Sequence, residues 1–142
     1  MFLIRMQKEI VISTHAHNEL IDITKDVEKI VSESKVKYGL CNVFAAHATA
    51  AILINENHDP NLREDIINAL NKIIPWHNNY KHDRIDNNAA SHIKAAIIGP
   101  SETIPIRDGK LLLGTWQSIA FFELDGPRSH RKVIITIANE KI

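Results

Sequence analysis

The chain has 142 residues, with 17 Lys plus Arg balancing 17 Asp plus Glu for a formal net charge of zero. That length suits one domain spanning residues 1–142 with a single substantial core, and the balanced charge excludes a nucleic-acid coat protein, which needs a net basic face. No apolar run approaches a membrane span, Arg5, Lys8 and Glu9 break up any signal-peptide layout, and the single Cys41 has no internal disulfide partner, so the expectation is a cytoplasmic protein without nucleic-acid or membrane partners.

Leu3–Ser13 is rich in Ile and Val between polar residues and predicts a first strand or pair of strands. Leu20, Ile23, Val27, Ile30 and Val31 then recur at three- and four-residue intervals. They predict an amphipathic helix that begins near Thr24 and stops before Tyr38-Gly39. Leu40–Ala46 predicts a strand, and Ala50–Ile54 its continuation or its neighbour. Asp59-Pro60 reads as a helix start, with Asp59 as the N-cap and Pro60 in the first helical position. Leu62, Ile66, Leu70 and Ile73 carry that helix's apolar stripe until Pro75 ends it. Trp76–Asp86 is polar and aperiodic, the longest expected loop.

A further helix is expected from about Asn87 to Ile98, closed by Gly99-Pro100. The remainder predicts strands at Glu102–Ile106, Leu111–Leu113, Ser118–Leu124 and Lys132–Ala138. The last of these is apolar on both sides, with Val133, Ile135 and Ile137 on one face and Ile134, Thr136 and Ala138 on the other. Helices can cover one face of its sheet, and a second subunit is expected over the other.

Alternation along Ser118–Leu124 sends Gln117, Ile119, Phe121, Glu123 and Asp125 one way. An amide and two carboxylates beside large apolar groups suit neither a core nor a solvated face, and so mark a site. Of the eight histidines, His15, His17, His58, His77 and His130 sit among charged or turn residues and read as solvated surface. Asn88 and His92 lie one helical turn apart beside the Ala89, Ile93, Ala96 stripe, where they either reach a cleft or form a solvated edge. Glu56 has no structural task and is an acid–base candidate, whereas Asp59 is occupied as a cap. Trp116 is either a packing anchor or a cleft wall. Arg128 and Arg131 either pair with Glu123 or Asp125 or grip a phosphate by two-pronged contact. Cys41 reads as core.

Gly114-Thr-Trp-Gln-Ser-Ile119, followed by Glu123-Leu-Asp-Gly-Pro-Arg128, resembles the signature of the YjbQ family, also called uncharacterised protein family 0047. Upstream, His47-Ala-Thr-Ala-Ala-Ile52, Asn55-Glu56, Asp65, Tyr80-Lys-His82, Asn88-Ala-Ala-Ser-His92 and Ile104-Pro-Ile-Arg-Asp-Gly109 follow that family's motifs in order. The resemblance implies an α+β fold, a two-layer α/β sandwich with a mainly antiparallel sheet, packed as a homotrimer. With the residue reading it gives a candidate site. His47, His82 and His92 would hold a divalent metal, expected to be zinc. Glu56, Gln117, Glu123 and Asp125 would be catalytic, and Thr49, Asn55, Asn88, Trp116 and Arg128 would contact substrate. That set suits a metal-assisted enzyme acting on a phosphorylated small molecule. By resemblance the activity is a secondary thiamine-phosphate synthase, joining a pyrimidine diphosphate to a thiazole phosphate. The alternatives are a non-catalytic trimer binding a metabolite or metal, and a phosphate or ester hydrolase. Ala48 stands where the family commonly has threonine, which removes one hydroxyl from the histidine motif.

Overall fold

The structure is a computed structural model that describes residues 1–140. The doubly apolar C-terminal segment forms β8 (Arg131–Glu140), between β1 (Phe2–Ile12) and β3 (Gly39–Ala45). The strands β5 (Ser101–Arg107) and β6 (Lys110–Leu111) extend that sheet in the order β1-β8-β3-β5-β6. A second sheet takes the order β2-β7-β4, built from Glu19–Asp22, Ser118–Glu123 and Ala50–Asn55. Every ladder is antiparallel. The chain is therefore α+β with antiparallel pairing, as expected, but its strands are divided between two sheets instead of one.

Strand alternation then sorts the core. Val133, Ile135 and Ile137 of β8 are each fully buried. They join Cys41 and Val43 of β3, Ile52 of β4, Ile119 and Phe121 of β7, and Val27 and Val31 of α1 (Thr24–Ser34) in one apolar cluster. On the opposite face of β7, Phe122 and Leu124 pack with Leu20 and Ala51. Ala95 of α3 (Ala89–Ile98) and the Ile66, Ile67, Leu70 stripe of α2 (Pro60–Ile73) cover them. The central strand β7 is thus the wall between two cores, which explains why it is apolar on both sides. On the outer face of β8, Ile134, Thr136 and Ala138 are only half-buried, and Phe44 beside them on β3 is exposed.

Local signals behave as physical chemistry requires in most places. Asp59 caps α2, its Oδ1 accepting the Asn61 amide at 2.9 Å, with Pro60 in the first turn. The first helix begins at Thr24 as expected, but Leu20, counted in its apolar stripe, is not part of it. Leu20 lies in β2 opposite Phe122, because its spacing from Ile23 fits a strand and the following turn as well as a helical face. Ala50–Asn55 neither continues β3 nor flanks it, and instead pairs with β7 in the second sheet. The expected loop at Trp76–Asp86 contains a single 3-10 turn, Lys81–Arg84. Cys41 is a buried free thiol whose pKa burial pushes up to about 12, so it is an inert core group. No helix among the described residues is long and apolar enough to cross a membrane.

Candidate functional site

The site is built on the far end of β7. Glu123, the last residue of that strand, is fully buried, and its carboxylate is surrounded by donors. Arg131, 5% exposed at the start of β8, grips it with both prongs of its guanidinium, Nε donating to Oε1 at 2.9 Å and Nη2 donating to Oε2. The Thr14 hydroxyl donates to Oε1 at 2.7 Å, and the amides of Leu124 and Asp125 donate to Oε2 at 3.1 and 3.2 Å. Arg131 Nη2 also reaches the Thr49 hydroxyl at 3.0 Å and the Thr49 carbonyl at 3.3 Å. Burial alone would raise the Glu123 carboxyl, but Arg131, Thr14 and the Asp125 amide outweigh it and hold the group below the usual carboxylate range. Glu123 is therefore anchored, and Thr49 serves the anchor.

Two residues further on, Asp125 Oδ2 accepts from Asn88 Nδ2 at 2.9 Å and from Arg128 Nη2 at 2.9 Å. Arg128 Nε also donates to the Asp125 carbonyl at 3.0 Å, which fixes the guanidinium across its own turn. About half of the Arg128 side chain stays exposed, and its remaining N–H groups have no protein acceptor among the described residues. Of the two sequence alternatives for the arginines, pairing holds for both, and Arg128 alone keeps donors to spare.

The histidines gather beside this segment. His47 Nε2 accepts the backbone N–H of Lys132 at 2.7 Å, so the neutral ring carries its proton on Nδ1. Burial, followed by the charge of Arg131, lowers the His47 pKa; Lys132 and Arg128 add to the effect and Glu123 opposes it. His47 and His92 line one cavity of about 380 Å³ with Ala48, Ala50 and Ala96. His82 meets His92 edge to face at 4.9 Å between ring centroids. His82 Nε2 and Asn88 Oδ1 are buried without a hydrogen-bond partner among the described residues.

The other half of the expected set lies elsewhere. On the β4–β7 ladder Ala50 stands opposite Glu123 and Asn55 opposite Ser118. Five strand steps of about 3.3 Å put the Asn55 end roughly 16 Å from the Glu123 end. At that distal end the Asn55 side chain accepts the Glu56 amide at 2.6 Å, and Trp116 is 68% exposed. Gln117, expected to share the cleft with Glu123, precedes the first residue of β7 and escapes its alternation. Its Oε1 instead accepts the Gly114 amide at 2.8 Å and closes a turn. Glu56, Asn55, Trp116 and Gln117 are thus apart from Glu123, Asp125, Asn88 and the histidines within this chain.

The three histidines expected as metal ligands are not gathered into one donor set among the described residues of this chain. The Nε2 lone pair of His47 is used by Lys132, and ligation through Nδ1 would need the ring proton moved to Nε2, facing another N–H. Among the described residues no group of three or more His, Cys, Asp or Glu side chains is placed to hold a metal ion. The orphaned His82 Nε2 beside His92 supplies at most part of a donor set. Thr14, a structural partner of Glu123, was not identified from sequence, whereas the pairing of Arg131 with Glu123 was one of the alternatives held open there. Thr14 is 109 positions from Glu123, and no local pattern announces such a contact.

A family model described as "UPF0047 protein YjbQ-like" matches residues 8–140. A UPF0047 protein of Methanocaldococcus jannaschii is 45% identical over 141 residues, covering 99% of this chain and 100% of its own. The UPF0047 protein YugU of Bacillus subtilis is 38% identical over 125 residues, covering 87% and 93% respectively. Among solved structures, a YbjQ-like protein of unknown function from Sulfolobus solfataricus superposes with a TM-score of 0.94 at 42% identity, covering 99% of this chain and 100% of the other.

Two predictions follow from the buried pair and from His47. Glu123→Gln leaves the Arg131 charge without its counter-ion and should cost about 3–5 kcal/mol in urea denaturation, with Glu123→Gln/Arg131→Met recovering a large part. Equal losses in the single and double variants would show that the pair contributes nothing as a pair. On acidification, a lowered His47 pKa means that unfolding takes up a proton, so stability should begin to fall below about pH 6.5. The lowered Glu123 pKa adds a second loss below about pH 4.3. In His47→Gln the upper loss should shrink while the lower one persists; an unchanged profile would contradict the burial of His47 in its neutral form.

Proposed function

The chain belongs to the UPF0047 YjbQ-like family, and on that premise we propose that its cleft binds and acts on a phosphorylated small molecule. The observation that carries this reading is the balance of charge at the site. Both of its carboxylates are already matched, Glu123 by Arg131 and Asp125 by Arg128. Arg128 keeps unpaired N–H groups, and His47, in the cavity wall, is a neutral ring with its proton on Nδ1. Such a site stabilises negative charge developing on oxygen. It offers no free carboxylate to remove a proton.

Thiamine-phosphate synthesis, the reaction implied by the family resemblance, makes that demand. The bond between the pyrimidine methylene carbon and the diphosphate oxygen breaks, and pyrophosphate leaves with the electron pair. The thiazole ring nitrogen then gives its lone pair to the same carbon. That nitrogen has no proton to lose, so the commitment of Glu123 and Asp125 to arginines does not oppose the reaction. Hydrolysis of a phosphate or ester needs an activated water, and the matched carboxylates favour it less. A non-catalytic binder would use the same anion contacts and is separated by turnover. The expected divalent ion has no three-histidine donor set among the described residues, so no step is assigned to it.

Arg128→Ala should weaken pyrophosphate binding about tenfold in calorimetry, the size expected for a charge-assisted contact at a half-exposed group. The effect should shrink at high salt. It should also exceed the effect on an unphosphorylated pyrimidine or thiazole alcohol. Equal weakening of both would make Arg128 a shaping residue instead of a phosphate reader.

The reading includes a homotrimer. Half-buried Ile134 and Ala138 beside exposed Phe44 on the outer sheet face support a covering subunit. Light scattering at micromolar concentration should give three chains. A monomer mass contradicts the interface, and a dimer keeps the covered face but rejects threefold packing.

A further inference from the structure

We propose that Thr14, in the loop after β1, is the positioning residue that sets the anion-binding arginine, Arg128, in place. The role of Arg128 rests on the phosphate reading above; the clamp itself rests on geometry. Thr14 is 4% exposed and holds residue 128 from both sides. Its amide donates to the Arg128 carbonyl at 2.7 Å, and its hydroxyl oxygen accepts the Arg128 amide at 2.8 Å. The same hydroxyl donates its own hydrogen bond to Glu123 Oε1 at 2.7 Å. One group therefore donates to the anchored carboxylate while accepting from the functional turn. Among side chains of this size only a hydroxyl does both well.

The neighbouring contacts show that the whole turn is moulded on this loop. The Gly126 amide donates to the His17 carbonyl at 3.1 Å, and the Ser13 hydroxyl donates to the Ser129 carbonyl at 3.1 Å. A Cβ on Gly126 would overlap the Ala16 carbonyl oxygen and lie 3.0 Å from the Thr14 hydroxyl, so the two segments touch backbone to backbone. With its backbone held by Thr14, Arg128 has its guanidinium aimed by Asp125. Thr14 thus connects the buried Glu123–Arg131 pair to Arg128, which keeps donors to spare.

Thr14→Val keeps the shape and removes both hydroxyl bonds, whereas Thr14→Ser keeps both. Two readouts on the full chain separate the clamp from its consequence. The first is amide hydrogen exchange of Arg128 without ligand, with Val43 and Ile135 as reporters of the intact sheet. The second is pyrophosphate affinity by calorimetry. In Thr14→Val the Arg128 amide should exchange about tenfold faster or more, and pyrophosphate should bind about tenfold more weakly, while Val43 and Ile135 keep their protection. Thr14→Ser should stay within about threefold of wild type in both. Should the valine variant not fold, Thr14→Cys, a weak donor and acceptor of similar volume, takes its place with the same directions expected.

Unchanged Arg128 exchange in the valine or cysteine variant overturns the clamp whatever the ligand does. Faster exchange with wild-type pyrophosphate affinity overturns the positioning role. If wild-type protein binds no pyrophosphate, the phosphate reading falls, and Thr14 as the residue that orders Arg128 is judged on exchange alone.

Discussion

Arg131 and Glu123 meet where the two sheets come together, since Glu123 ends the central strand of the smaller sheet and Arg131 begins β8 in the larger one. A charge placed in such a location is tolerable only when its partner and its remaining hydrogen bonds are supplied in full. Here Thr14 and two amides complete the carboxylate, and Thr49 completes the guanidinium. Satisfying one buried ion pair therefore brings together four segments distant in the chain: the loop after β1, the turn before β4, the end of β7 and the start of β8. The apolar cores on either side of β7 make the sheets, and this polar knot fixes how their ends are arranged.

The cleft follows from that arrangement. The residue after Arg131 contributes the amide that holds His47, so the histidine is oriented by the backbone next to the buried pair. The segment after Glu123 turns back past Thr14 and carries Asp125 and Arg128, with Asn88 joining from the start of α3. Cationic groups around His47 keep it in its neutral form, after burial has already disfavoured the charge. What remains for a ligand is the largely apolar cavity at His47 and His92, and the opening that Arg128 lines with Ser13, Thr14, Pro127 and Ser129.

Much of this was legible in the sequence because it depends on short-range repetition. The alternation in Ser118–Leu124 foretold that Phe121 and Phe122 face opposite sides, and both do so in separate cores. Asp59-Pro60 announced its cap, and of the expected Leu62, Ile66, Leu70, Ile73 stripe Ile66 and Leu70 pack on the second core while Ile73 is exposed. The misreadings have equally local causes. Leu20 satisfies two periodicities at once, and strand pairing decides between them. Gln117 sits one residue outside the strand whose parity it was assigned. The choice of partner for each arginine, the proton position on His47 and the part played by Thr14 all depend on contacts between residues far apart in sequence. Periodicity carries no information about those.

The claim on which the rest turns is that the donors arranged by the Glu123–Arg131 pair form an anion site at Arg128 and His47. A crystal structure of the protein with bound pyrophosphate tests it most directly. The account predicts the anion in contact with Arg128 and with the Nδ1 side of His47, with the buried pair unbroken beneath it. Pyrophosphate bound instead at the Asn55–Trp116 end, or absent from the Arg128 cleft at saturating concentration, would contradict it.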